Sequence, residues 1–207
     1  MNSVFDNSSP PNKRSAETLQ ALEALILSEG FSQLSVSEIA ARLKCSKRTL
    51  YELAPSKKSL VLRALNNFFS RIREQGDHVA ENASGPAQIV YEYLQVGEYA
   101  SERLSQAVVA DIDDWEPARA LWRNHIGLRV EGLYKIIDKG VKEGTFREVS
   151  PAFMAEVTFA SINRLRDPDF NERTGLTISE AFHELYLMLL HSLISDGAVA
   201  ELPKMQA

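Results

Sequence analysis

Three helix starts fall within Ser35–Leu60, "SVSEIAARLKCSKRTLYELAPSKKSL", and they leave that stretch little choice of local fold. Ser35 stands three residues before Glu38. That spacing is the capping box, in which each side chain satisfies a backbone donor that the first turn of a helix leaves open. Ile39, Ala40 and Leu43 then give the first helix an inner face. Ser46 caps the next, with Leu50, Leu53 and Ala54 pointing inward. Pro55 ends it, because the residue before a proline avoids helical geometry. Ser56 caps a longer third helix, striped by Leu60, Ala64, Leu65, Phe68 and Ile72. A tight Lys44-Cys45-Ser46 connection joins the first two.

The rest of the chain is helical in pattern as well. Leu19, Leu22, Leu25 and Ile26 recur at helical spacing over Ser15–Glu29, Gly30 follows as a cap, and Phe31 packs back. Beyond the turn cluster "NASGP", helical spacing predicts helices over 89–103, 105–112, 118–143, 153–165 and 178–194. "KEGTFREVSP" reads as a loop and "RDPDFNERTGL" as a polar connection. Alternating β-branched runs are missing, so the expectation is an all-α chain. It divides into a floppy arm over 1–14, a three-helix unit over 15–60, and a larger helical body over 61–207.

Charge is divided unequally along the chain. The formal sum is −5. Residues 1–75 carry 11 Lys+Arg against 7 Asp+Glu, and the remainder carries 12 against 21. A mildly basic head on an acidic body points to a polyanion-binding end. Cys45 is the only cysteine, which excludes an intrachain disulfide and suits a reducing cytoplasm. The polar start "MNSVFDNSSPPNKRSAE" lacks the apolar core of a signal peptide. The longest uncharged apolar stretch, Leu185 to Ser195, is far short of the ~20 residues that span a bilayer. No membrane association is expected.

Helix, tight turn and a second helix that opens with cations form the helix-turn-helix pattern. Lys47, Arg48 and Tyr51 lie opposite the inward set, and Thr49 sits at the flank. Lysine and arginine reach guanine acceptors or phosphates, and threonine meets a thymine methyl. Ser37, Tyr51 and Lys57 suit phosphate contacts, and Ser46 starts the helix that enters the groove. A local patch suffices on an acidic chain, because each neutralised phosphate releases condensed counterions.

Ala24–Leu60, "ALILSEGFSQLSVSEIAARLKCSKRTLYELAPSKKSL", resembles the TetR family of bacterial one-component repressors. The resemblance rests on the Gly-aromatic pair, "SEIA", "SK-x-TLY" and "P-S-K-x-x-L", and covers roughly the first third of the chain. It implies a homodimer on a palindromic stretch of double-stranded DNA, released by a small-molecule effector, with the last two helices forming the subunit interface. Two residues depart from the family pattern. Ala54 stands where an aromatic is usual, leaving Leu53 to fill the space, and Glu52 brings an acid near phosphates, where it must face away from the backbone, accept from a cytosine amino group, or pair with a neighbouring Lys or Arg.

Ala181, Phe182, Leu185, Met188, Leu189 and Ser192 repeat at i, i+3, i+4, a stripe wider than one neighbouring helix requires, and they are the expected dimer interface. Aromatics gather between residues 85 and 170: Tyr91, Tyr93, Tyr99, Trp115, Trp122 and Phe159, with His125. Packing is the simpler role for each. The functional one is a cavity wall, for which Trp122, His125 and Arg129 on one helix face, with Phe159, are the candidates. Glu180 and His183 have the E-x-x-H spacing of di-metal carboxylate enzymes, but no other histidine has a carboxylate three residues before it. No metal, cofactor or catalytic residue is therefore expected. A helical dimeric scaffold or partner-binding module with weak or lost DNA binding is the alternative function.

Overall fold

The computed structural model describes residues 13–83, 85–165 and 167–194. Every regular element among them is an α-helix: α1 Lys13–Glu29, α2 Val36–Arg42, α3 Lys47–Leu53, α4 Lys57–Asn82, α5 Pro86–Glu102, α6 Gln106–Asp114, α7 Glu116–Lys142, α8 Pro151–Leu165, α9 Pro168–Thr174 and α10 Ile178–Leu193. The expected arm over 1–14 lies outside the described residues, apart from Lys13 and Arg14, which open α1.

Several helices begin earlier than their apolar spacing indicated. α5 starts at Pro86, α8 at Pro151, and α7 at Glu116 with Pro117 behind it. Proline fits the first turn, where its missing N–H would have had no partner. The expected polar connection after Leu165 is corrected by α9, which also opens on a proline. Its polar residues are used locally. Arg164 Nη2 donates to Asp169 Oδ2 at 3.0 Å, and the guanidinium lies 5.6 Å from the Phe170 ring centroid. A helix with so little apolar surface leaves no periodic trace in the sequence.

The described chain forms two compact units. One runs through Phe68 and adds Leu104–Leu121; the other takes Phe69–Arg103 and the chain from Trp122 onward. In the first, α1 packs against α3 and α6, and α2 against α3. Leu22, Ile26, Ile39, Leu50, Leu60 and Leu65 are fully buried. α6 is fastened to α1 by Ser105 N donating to Leu27 O at 2.9 Å.

In the second unit α10 packs on α5 and α8. Its core includes Tyr93, Leu94, Leu133, Ile137, Phe159, Phe182, Tyr186 and Leu190. Tyr93 and Tyr186 bring hydroxyls into that core and satisfy them on backbone, donating to Arg129 O at 2.8 Å and to Leu94 O at 2.9 Å. Gly132 makes room for Tyr93: a Cβ there would stand 2.1 Å from the Tyr93 oxygen. The Arg129 guanidinium stacks over the same ring, so the ring has nowhere to retreat. Gly132→Ala is therefore expected to lower stability by roughly 2 kcal/mol in urea unfolding, overpacking and a broken buried hydrogen bond outweighing the helical gain of alanine. An unchanged urea midpoint would count against this packing.

Candidate nucleic-acid interface

α2 and α3 are set by their caps. Ser35 Oγ accepts from Glu38 N at 3.2 Å while Glu38 Oε2 accepts from Ser35 N at 2.7 Å, so the expected capping box is present. The bonds from Ser35 hold the Glu38 carboxyl below its ordinary pKa. The turn then closes on Lys44, a non-glycine residue at φ +50°. Lys44 N donates to Ala41 O at 3.2 Å and Cys45 N to Ala40 O at 3.0 Å, the paired bonds that cap a helix end through one left-handed residue. Cys45 is part of that cap. Burial pushes its thiol pKa up, the reverse of what a reactive thiolate requires.

Ser46 caps α3, its Oγ accepting from Thr49 N at 3.1 Å and sharing a hydrogen bond with Thr49 Oγ1 at 2.9 Å. Leu50, Leu53 and Ala54 are buried. Lys47 and Arg48 are exposed, and Tyr51 leaves 49% of its surface open. Thr49 lies at the flank, half-buried, and Ser37 is exposed on α2. The two departures from the family pattern are accommodated. Glu52 pairs with Arg48, Oε1 to Nε at 3.2 Å. At the Ala54 end of α3, Arg63 reaches back from α4 to donate to Leu53 O, a cation on the last carbonyls of a helix.

Lys57 is committed within the unit: its Nζ donates to Ser32 O at 3.0 Å. Asp111 holds the same turn from α6. Its Oδ2 accepts from Ser32 N at 2.8 Å and also from Phe31 N. Gly30, at φ +79°, is what lets the carboxylate in, since a Cβ there would stand 2.6 Å from that oxygen. Phe31 packs edge-on to Trp115 with ring centroids 5.7 Å apart. The sequence pattern around Asp111 gives no sign of this clamp. An aspartate some eighty positions from its partners leaves no mark in local spacing.

The remaining candidates fall in the second unit. Trp122, His125 and Phe69 pack on one another: His125 stacks on Phe69 at 4.8 Å, and Trp122 meets Phe69 edge-on at 5.6 Å. Arg129 is buried beside Tyr93, and Phe159 belongs to the hydrophobic core. Of the six interface candidates, Ala181, Phe182, Leu185 and Leu189 are buried within their own unit, Ser192 is half-buried, and Met188 is 60% exposed. The stripe is wide because α10 faces both α5 and α8. Apolar side chains left open on the neighbouring helix are Phe153 and Val157 of α8. Glu180 serves as the capping partner of Thr177, which accounts for its spacing from His183 without a metal. No group of metal-ligating side chains occurs among the described residues, and none of their helices is long and apolar enough to cross a membrane.

Residues 19–64 match the family of bacterial regulatory proteins known as the tetR family. A helix-turn-helix-type transcriptional regulator of Bacillus subtilis strain 168, YvaF, itself uncharacterized, is 22% identical over 178 residues, covering 83% of this chain and 91% of the relative. Among solved structures, a transcriptional regulator from Saccharomonospora viridis in complex with choline superposes with a TM-score of 0.73 at 17% identity, over 89% of this chain and all of that one. SmeT, the repressor of the Stenotrophomonas maltophilia multidrug efflux pump SmeDEF, does so with a TM-score of 0.68 at 14% identity, over 88% of this chain and 91% of that one.

Proposed function

We propose that the chain is a DNA-binding transcriptional regulator of the TetR family, a reading supported by the match over residues 19–64, and that it acts as a repressor: a homodimer that grips a palindromic operator and lets go when a small molecule binds. The observation that carries the DNA contact is the outer face of α3, where Lys47, Arg48 and Tyr51 stand exposed over the buried Leu50 and Leu53. Ser37 and Lys57 add phosphate contacts at its sides, with Ser46 and Thr49 at the start of the reading helix. Lys57 exchanges its carbonyl partner for a phosphate on binding.

The dimer reading is supported by Phe153, Val157 and Met188, large apolar side chains exposed on α8 and α10. Burying them against a second copy removes apolar surface from water twice over, as a two-fold interface does. Two copies present α3 twice, which makes the operator a palindrome. Effector release is supported by the relative crystallised with choline and by the efflux-pump repressor of the same fold. α4 is one helix from Lys57 to Asn82, a lever whose tilt changes the separation of the two reading helices. A coupling of ~1–3 kcal/mol changes DNA affinity ~5–150-fold, provided that the effector binds the two states unequally.

Base readers and phosphate binders are separable. Lys47→Ala and Thr49→Ala are expected to cost ~1–3 kcal/mol on the preferred site and to change the ranking of sequences. Lys57→Ala is expected to weaken every sequence alike and to make the salt dependence shallower. Binding isotherms on a set of point-mutated duplexes check this. Equal losses on every duplex for all three variants contradict the assignment.

A further inference from the structure

The core of the C-terminal unit holds positive charge that no buried group of the unit neutralises. Arg129 of α7 is 3% exposed. Its guanidinium lies 3.9 Å over the Tyr93 ring, and Nη2 donates to Tyr93 O at 2.6 Å. Nη1 has no hydrogen-bond partner. Among the described residues of this unit the buried polar side chains besides Tyr93 and Tyr186 are His125, Arg129 and Thr158, with no carboxylate. Arg73 of α4 supplies a second guanidinium, half-buried, bonded to Ser70 Oγ at 2.7 Å and standing 3.4 Å from His125 Nδ1. Burial, then the nearby charges of Arg129 and Arg73, drive the His125 pKa down to about 3, so this neighbour is neutral and adds no further charge. A buried, unpaired charge is among the most costly features that a fold can carry.

Beside these groups lies a cavity of about 350 Å³. α4 lines it with Ser70, Arg73, Glu74 and Asp77, α5 with Tyr93, and α7 with Leu128, Glu131, Gly132 and Lys135. Tyr93 is both wall of the cavity and platform for Arg129. The free Nη1 lies against Gly76 of α4, where a Cβ would stand 2.6 Å from it. The acids at the cavity are accounted for. Glu131 pairs with Lys135 at 3.3 Å, and Glu74 and Asp77 are exposed to solvent. Glu74 and Asp77 act on Arg73, and Asp77 on Arg129 as well, but both acids keep their hydration while the Arg129 guanidinium is desolvated.

We propose that this cavity takes an effector bearing an oxyanion, a carboxylate or a phosphate monoester, which Arg73 and the free Nη1 of Arg129 hold while Tyr93 and Leu128 cover its apolar part. The inference rests on the effector-released repressor reading and gives that effector its chemical class. Arg129 is not among the lining residues and its Nη1 lies against Gly76 of α4, so binding as proposed goes with a displacement of α4 there. The state with α4 displaced then binds the ligand more tightly than the state described here, which is the unequal affinity that coupling requires.

Calorimetric titration of the purified full chain with benzoate, hexanoate and phenyl phosphate tests this, with benzamide, hexanamide and choline as neutral and cationic controls. At least one oxyanion is expected to bind tenfold or more tighter than the controls. Arg129→Met is expected to weaken that binding ~10–100-fold, the worth of hydrogen bonds to a charged group. Arg129→Lys, which keeps the charge without the planar fork, is expected to lose ~10-fold and serves if the methionine variant does not fold. Binding of none of the three oxyanions, equal binding of an amide or choline, or unchanged binding by a folded Arg129 variant overturns the proposal. Operator retention is read in parallel. Choline or an amide that releases DNA keeps the effector reading and rejects the oxyanion, whereas an oxyanion bound through Arg129 that leaves DNA affinity unchanged keeps the site and rejects the effector reading.

Discussion

Lowering the pH from 7 to 4 is expected to remove roughly 3 kcal/mol of stability through His125 alone. The side chain is buried, stacked on Phe69, and close to Arg73 and Arg129. Those surroundings disfavour the imidazolium and bring its pKa to about 3 in the folded chain. The unfolded chain recovers an ordinary value of about 6.5. Between the two values the unfolded state binds the proton and the folded state refuses it. Stability is then fully present above pH ~6.5 and falls as the pH drops toward 3. Urea unfolding from pH 7 to pH 4 measures the loss. His125→Gln cannot titrate, so its slope over the same range is expected to be flatter by most of that amount, whatever its absolute stability. Parallel slopes for the two proteins would show that His125 is not a desolvated neutral imidazole.

Asp111→Ala is expected to cost roughly 3 kcal/mol, because it removes the acceptor from two backbone donors at once, each bond to a charged group being worth ~1.5–3 kcal/mol. Phe31 is buried, so its N–H cannot simply turn to water. Burial acts to raise the Asp111 carboxyl, but the bonds from Ser32 and Phe31 and the charge of Lys57 outweigh it, and its pKa lies below the usual carboxylate value. This contribution is present above the unfolded pKa of about 3.9 and is lost as pH falls through the lower folded value. It therefore disappears at more acid pH than the His125 contribution. Asp111→Asn keeps a carbonyl acceptor and is expected to lose about half as much. The same turn leads into α2, so DNA affinity of the alanine variant is expected to fall along with its melting temperature. An alanine variant as stable as the parent would show that the clamp is incidental.

The parts of this fold that the sequence exposes are those decided within one or two turns of helix. Ser35 with Glu38, Ser46 with Thr49, and the division of α3 into an inner Leu50/Leu53 side and an outer Lys47/Arg48/Tyr51 side all follow from spacing. Glu52 finds the nearby cation that it needed. Hidden features are those whose partners are remote or polar. α6 joins the first unit through Asp111 and Ser105, contacts that no periodicity foretells. Lys44 adopts a left-handed conformation in a place where glycine would have announced it. α9 has too few apolar side chains to show a stripe. Breadth of the apolar face on α10 reports how much of that helix is covered, not by what: α5 and α8 account for Phe182, Leu185 and Leu189, leaving Met188 for another surface. The aromatics Trp122 and Phe69 likewise satisfy each other, while the chemically unusual residue in that region, Arg129, stands out only once its surroundings are known.

Selection of bound fragments from random duplex DNA by the purified full chain, carried out at low salt, tests the central claim most directly. Enrichment of one two-fold-symmetric sequence is expected, with half-site centres about one helical turn apart, ~34–36 Å, or a multiple of it. Enrichment of no sequence, or of a lone half-site without its repeat, would contradict it.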